Sequence, residues 1–146
     1  MKVTPIKTPL YRGSYDLHSF IFENTKDFLK EKSVLAITTK IVSLSENRVV
    51  SKDKISKLDL VKQESEAFLG TSKQGVHLTL TQGILIPSAG IDESNSESGD
   101  YILYPKDPYA SAKKIGEELR KRSGLKDLGV ILTDSRSSML RRGVTG

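Results

Sequence analysis

The chain contains no cysteine, which excludes thiol catalysis, cysteine-ligated zinc and a disulfide framework. Its two histidines, His18 and His77, are too few and too far apart to suggest a histidine-rich metal centre. Any metal would be held by oxygen. No apolar run approaches the roughly 18 residues needed to span a bilayer, and the opening Met1-Lys-Val-Thr-Pro-Ile-Lys7 lacks the apolar core of a signal peptide. The expectation is a cytoplasmic protein with no membrane partner. Aromatic residues are sparse, and none interleaves the densest basic group, Lys113, Lys114, Arg120, Lys121 and Arg122. The net charge of +5 favours anionic partners, but without aromatic interleaving or a recognition-helix pattern nucleic acid is not the expected one. The same basic group also has the pattern of a solvated helix face.

What is present suits one ordinary soluble domain spanning 1–146, with 36% apolar and 28% charged residues. At this length folding buries roughly two thirds of the surface that the unfolded chain exposes, so no staple is required. Strands are expected over Val3–Lys7, Val34–Thr38, Val49–Val50, Tyr101–Tyr104 and Leu128–Thr133. Leu17, Phe20, Ile21 and Phe28 have helical spacing up to a break at Ser33. Ile55, Leu58, Val61 and Phe68 read as an amphipathic helix stopped by Gly70, and Lys40–Glu46 is ambiguous. The clearest hairpin is Val76–Ile86, turning at Gln82-Gly83, with Val76, Leu78 and Leu80 on one face and His77, Thr79 and Thr81 on the other. Asp107-Pro108 marks a helix start, Gly124 its end, and Ala112, Ile115 and Leu119 its inward face.

Two apolar strands run straight into acids, hydroxyls and amides: Pro87-Ser-Ala-Gly-Ile-Asp-Glu-Ser-Asn95 and Thr133-Asp-Ser-Arg-Ser-Ser138. If Asp92 and Asp134 converge, they form an oxygen-only platform suited to Mg²⁺ or Mn²⁺, with Ser135 as a further ligand and Asn95 as a ligand contact. Turn residues of these types also occur for purely local reasons. Gly70-Thr-Ser-Lys-Gln-Gly75 begins like a phosphate-binding loop, but Val76-His77 stand where lysine and a hydroxyl are required, so it is discarded. Lys40, after Ile37-Thr38-Thr39, could meet an anion.

Five ordered pieces together resemble the γ-glutamyl ligase family typified by coenzyme F-420-0:L-glutamate ligase. They are Ile6-Lys-Thr-Pro-Leu10; Val34-Leu-Ala-Ile-Thr-Thr-Lys40 with Glu46-Asn-Arg48; Ala89-Gly-Ile-Asp-Glu-Ser-Asn95; Tyr104-Pro-Lys-Asp-Pro108; and Val130-Ile-Leu-Thr-Asp-Ser135. The stretch Ile84–Asp92 and the end Leu140–Gly146 look most like a bacterial branch assigned to folate metabolism.

The resemblance implies an α+β fold with mixed and antiparallel sheets and flanking helices, and an intertwined homodimer. It further implies two divalent ions, Mg²⁺ or Mn²⁺, together with K⁺, and GTP or ATP as cosubstrate. L-glutamate would be joined through an acyl phosphate to a folate-like or deazaflavin acceptor. By the same resemblance Asp92, Asp134 and Ser135 are metal ligands, Asn95 contacts the nucleotide, and Thr8, Pro9, Leu10, Tyr11, Thr38 and Thr39 line its pocket. Two departures stand out. Leu44 occupies a position where many members carry a nucleotide-contacting lysine, so one phosphate or base contact is either absent or supplied by Lys40. The family continues well past Gly146, so the expectation is an N-terminal fragment or shortened member. A non-catalytic metal- or nucleotide-binding relic is the rival reading.

Overall fold

In a computed structural model, residues 2–93 and 99–134 are described. Their contacts divide the chain into two compact units: Met1–Asn47 with Lys106–Thr133, and Arg48–Pro105 with Asp134–Gly146. The architecture is α+β, with one parallel strand pair and otherwise antiparallel pairing among the described residues.

The first unit is built on β1 (Ser33–Thr38) and β7 (Leu128–Thr133), which pair in parallel from Ser33↔Leu128 to Thr38↔Thr133. Leu35, Ile37, Leu128, Val130 and Leu132 face a core shared with Leu17 and Ile21 of α1 (Leu17–Thr25), Val42 of α2 (Thr39–Ser45), and Ile115 and Leu119 of α4 (Pro108–Ser123). Local signals explain α4. Asp107 accepts the Ala110 N–H at 2.8 Å, Pro108 supplies a preset φ, and Gly124 closes the helix at φ +74°. Arg120 donates to the Leu128 carbonyl and Arg122 to Ser19 and Glu118, so part of the basic group serves packing within this unit.

The second unit holds β2 (Val49–Val50) against β6 (Tyr101–Ile102), and the meander of β3 (Ala67–Thr71), β4 (His77–Thr81) and β5 (Ile84–Pro87). Its core gathers Leu60 and Val61 of α3 (Lys57–Glu64) with Ala89, Ile91, Tyr101 and Leu103. Gln82 and Gly83, both at positive φ, make the two-residue hairpin turn between β4 and β5.

Three expectations are corrected. Residues 3–7 form no strand, because none of the described residues pairs with them. Helix α1 stops at Thr25, leaving Phe28 half-exposed, and Ser33 opens a strand instead of breaking a helix. Helix α3 ends at Glu64, and Phe68 and Gly70 belong to β3, drawn into pairing with β4 at a register shift. On β4 the inward face is the one carrying Thr79 and Thr81, while Val76 is exposed. The ambiguous segment at 40–46 is helix α2.

Candidate active site

Parallel pairing puts the C-terminal ends of β1 and β7 side by side, the edge where α/β pairs commonly place their ligands. Thr38, opposite Thr133, ends β1 and is at once the N-cap of α2, so strand passes to helix with no intervening loop. Thr39 is buried at the start of that helix, and Thr38 is exposed. Asp134 follows Thr133 directly. One strand pair therefore carries Thr38, Thr39 and the stem of Asp134 at the same edge.

One turn along α2, Lys40 and Leu44 share a helix face. Leu44 packs against the core, which leaves Lys40 as the cation of that face.

Asp92 is held from its backbone. Its N–H donates to the Ile102 carbonyl and its carbonyl accepts from the Ile102 N–H, both at 2.9 Å. Before it, Ser88, Ala89 and Gly90 all take positive φ, +51°, +54° and +72°, forming one left-handed turn. The Thr79 hydroxyl braces that turn, donating to the Ile86 carbonyl at 2.5 Å and accepting the Ala89 N–H at 2.9 Å. After it, Glu93 pairs with Lys57 and with Lys52 at 3.3 Å. The Lys57 hydrogen bond, with Lys52 in support, holds the Glu93 carboxyl below the usual glutamate range.

The N-terminal piece divides. Thr8, Pro9 and Leu10 are exposed, whereas Tyr11 is buried against Phe20 with ring centroids 4.9 Å apart. Its hydroxyl donates to the Tyr15 carbonyl at 2.7 Å, and burial, then Asp16, pushes its pKa up. Tyr11 therefore fixes its own loop. It also borders a cleft of about 290 Å³ with His18, Glu46, Ser111 and Lys114.

Asn95 and Ser135 lie outside the described residues. Among the described residues no group of three or more His, Asp or Glu side chains clusters as a ready-made metal cage. Three residues without a sequence-assigned role prove structurally central: Glu46, Arg48 and Tyr104. Glu46 accepts the Lys106 N–H and the Ser111 hydroxyl. Arg48 pairs with Glu64 and donates to the Tyr104 carbonyl. Glu46 and Arg48 close one of the five family-like segments and Tyr104 opens another.

The model of the family described as F420-0:Gamma-glutamyl ligase matches residues 5–146, nearly the whole chain. The chain belongs to this F420-0:gamma-glutamyl ligase family. Among its similar proteins are coenzyme F420:L-glutamate ligases of Methanopyrus kandleri, 30% identical over 92% of this chain and 59% of the relative, and Methanosarcina mazei, 32% over 96% and 60%. The ligase of Methanococcus maripaludis is 32% identical over 100% of this chain and 64% of its own length. The chain thus spans about three fifths of the curated relatives that it matches. For this F420-0:gamma-glutamyl ligase family member, no helix among the described residues is long and apolar enough to cross a membrane.

Proposed function

We propose that this chain forms the nucleotide- and metal-binding part of a ligase that joins L-glutamate to a carboxylate-bearing acceptor. The observation that carries this reading is the parallel register Thr38↔Thr133, which sets Thr38-Thr39 and the stem of Asp134 at one strand edge in a member of a γ-glutamyl ligase family. An acceptor carboxylate oxygen takes the γ-phosphoryl group of GTP or ATP, releasing the diphosphate. The glutamate amine then attacks the acyl carbon, phosphate leaves, and the amine gives up a proton as the amide forms. In this reading Thr8, Pro9, Leu10, Tyr11, Thr38 and Thr39 of the first unit contact the nucleotide, with Lys40 supplying the ammonium that Leu44 does not; the nucleotide contact assigned to Asn95 lies outside the described residues.

Asp92 and Asp134 present hard oxygen donors of the kind that Mg²⁺ or Mn²⁺ prefers, and Ser135 adds a neutral oxygen. Such ions, when bound, neutralise the charge that develops on phosphate oxygens. That the similar proteins are coenzyme F420:L-glutamate ligases favours a coenzyme F420-type deazaflavin over a folate-like pterin as acceptor. A homodimer is supported by the outer face of β1–β7, where Val34 and Ile131 are exposed although parallel pairs are normally covered on both sides.

The test is a Mn²⁺ titration with and without GTP, repeated with Asp134→Asn, followed by glutamate-ligation assays with each acceptor and nucleotide. The ligase reading expects Asp134→Asn to abolish metal-linked nucleotide binding. No difference between parent and variant, with no product from any combination, would leave a non-catalytic module.

A further inference from the structure

The left-handed turn before Asp92 is a strained element, and strain of this kind persists only where its surroundings over-determine it. Ser88 and Ala89 carry a Cβ at φ +51° and +54°, a conformation disfavoured for L residues and cheap only for glycine.

Three contacts hold the turn shut. The buried Thr79 hydroxyl takes the Ala89 N–H, Ala89 itself is wholly buried, and the Tyr104 ring lies on Gly90 so closely that a Cβ there would stand 2.7 Å from Cδ2. The backbone bearing that ring is itself anchored. The Tyr104 main-chain carbonyl accepts the Arg48 Nε–H at 3.1 Å, and the next one, on buried Pro105, accepts the Gln82 amide at 3.2 Å. From the turn the chain runs through buried Ile91 directly to Asp92, whose backbone is then paired with Ile102. The backbone that carries the Asp92 side chain is thus held by the turn on one side and by the Ile102 bridge on the other.

We propose that Tyr104 is a positioning residue for Asp92: its ring, seated on Gly90, holds the Ser88–Gly90 turn closed and so fixes the direction from which the Asp92 carboxylate meets a divalent cation. This rests on the reading of Asp92 as a metal ligand, and the experiment keeps the two apart.

Mn²⁺ alone is titrated into the chain, with free Mn²⁺ followed by electron paramagnetic resonance and thermal melting recorded beside it. Asp92→Asn must weaken binding, or the metal reading itself fails. Given that, Tyr104→Ala is expected to weaken Mn²⁺ binding about tenfold, as supporting residues around metal ligands do, while Tyr104→Phe, which keeps the ring, stays within about twofold of the parent. Ser88→Gly provides the arm that does not depend on Tyr104→Ala folding. Glycine relieves the positive φ, so melting holds or rises, yet the loosened turn lowers Mn²⁺ affinity. Opposite movements of stability and affinity are not expected from a merely structural turn. Unchanged Mn²⁺ affinity in Tyr104→Ala or in Ser88→Gly overturns the proposal, as does a Tyr104→Phe variant as weak as Tyr104→Ala.

Discussion

The Glu46 carboxylate holds the Ser111 hydroxyl at 2.8 Å across 65 positions of sequence, and its other oxygen accepts the Lys106 N–H at 2.9 Å. Glu46 caps the C-terminal end of α2, and Ser111 lies in the first turn of α4, so one carboxylate ties two helices together. It also places negative charge at the positive end of α4. Glu46→Ala is expected to lower unfolding free energy by about 1–2 kcal/mol, and Glu46→Gln, which keeps an acceptor, by less. Urea denaturation measures both; parent-like stability of the alanine variant contradicts the tie.

Thr79 makes two bonds with one hydroxyl at a fully buried position. Valine has nearly the same shape but can neither accept the Ala89 N–H nor donate to Ile86. Thr79→Val should therefore lose about 1–3 kcal/mol, chiefly from the stranded N–H, whereas Thr79→Ser should keep most of the stability. Equal loss in both variants would point to packing instead.

Acid sensitivity follows from Glu93 and Asp16. Lys57 and Lys52 hold Glu93 low, and the Ser19 N–H, accepted as the N-cap of α1, holds Asp16 low. Above the unfolded-state values, about 3.9 for Asp and 4.3 for Glu, both are ionised in either state and contribute fully. As pH falls below those values the unfolded chain binds protons first, and the contribution fades until the folded values are passed. Tyr11, pushed up by burial, acts in the other direction: its contribution is intact below about pH 10 and is lost as pH rises through its folded value. Melting temperature against pH should show both limbs, and Glu93→Gln should shallow the acid one.

In the proposed nucleotide-binding reading, Lys40 would supply the contact that Leu44 does not make. Lys40→Met is expected to weaken GTP binding about tenfold, the loss of one charge-assisted phosphate contact of about 1.5 kcal/mol. Leu44→Met should change it little. Isothermal titration with Mg²⁺ present compares them, and equal affinities for Lys40→Met and parent would remove Lys40 from the pocket.

Features encoded within a few residues were legible in the sequence: the Asp107 cap, Pro108 and Gly124 around α4, and the Gln82-Gly83 turn. Features set by distant partners were not. Phe68 falls on the helical period of Leu58 and Val61, but pairing of Phe68 with Thr79 in β4 outweighs it. Which hairpin face turns inward was not legible, because a threonine reads as polar until its hydroxyl is seen to be satisfied internally. In the candidate site, Asp92 and Asp134 stood out as acids at strand ends. Glu46 and Tyr104 did not, since Ser111 and Gly90, which give them meaning, come from other parts of the chain.

The pairing Ser33↔Leu128 joins segments about ninety-five residues apart, whereas the β3–β4–β5 meander closes over neighbouring stretches. During synthesis the meander can form while β1 still waits for a mate that has not left the ribosome. Pulse-labelling exchange should find the Leu78–Leu80 amides sheltered before those of Leu35–Ile37. Until β7 emerges, β1 is a bare apolar strand with open edges, making this the stage at which a nascent chain is most vulnerable to clumping with its neighbours.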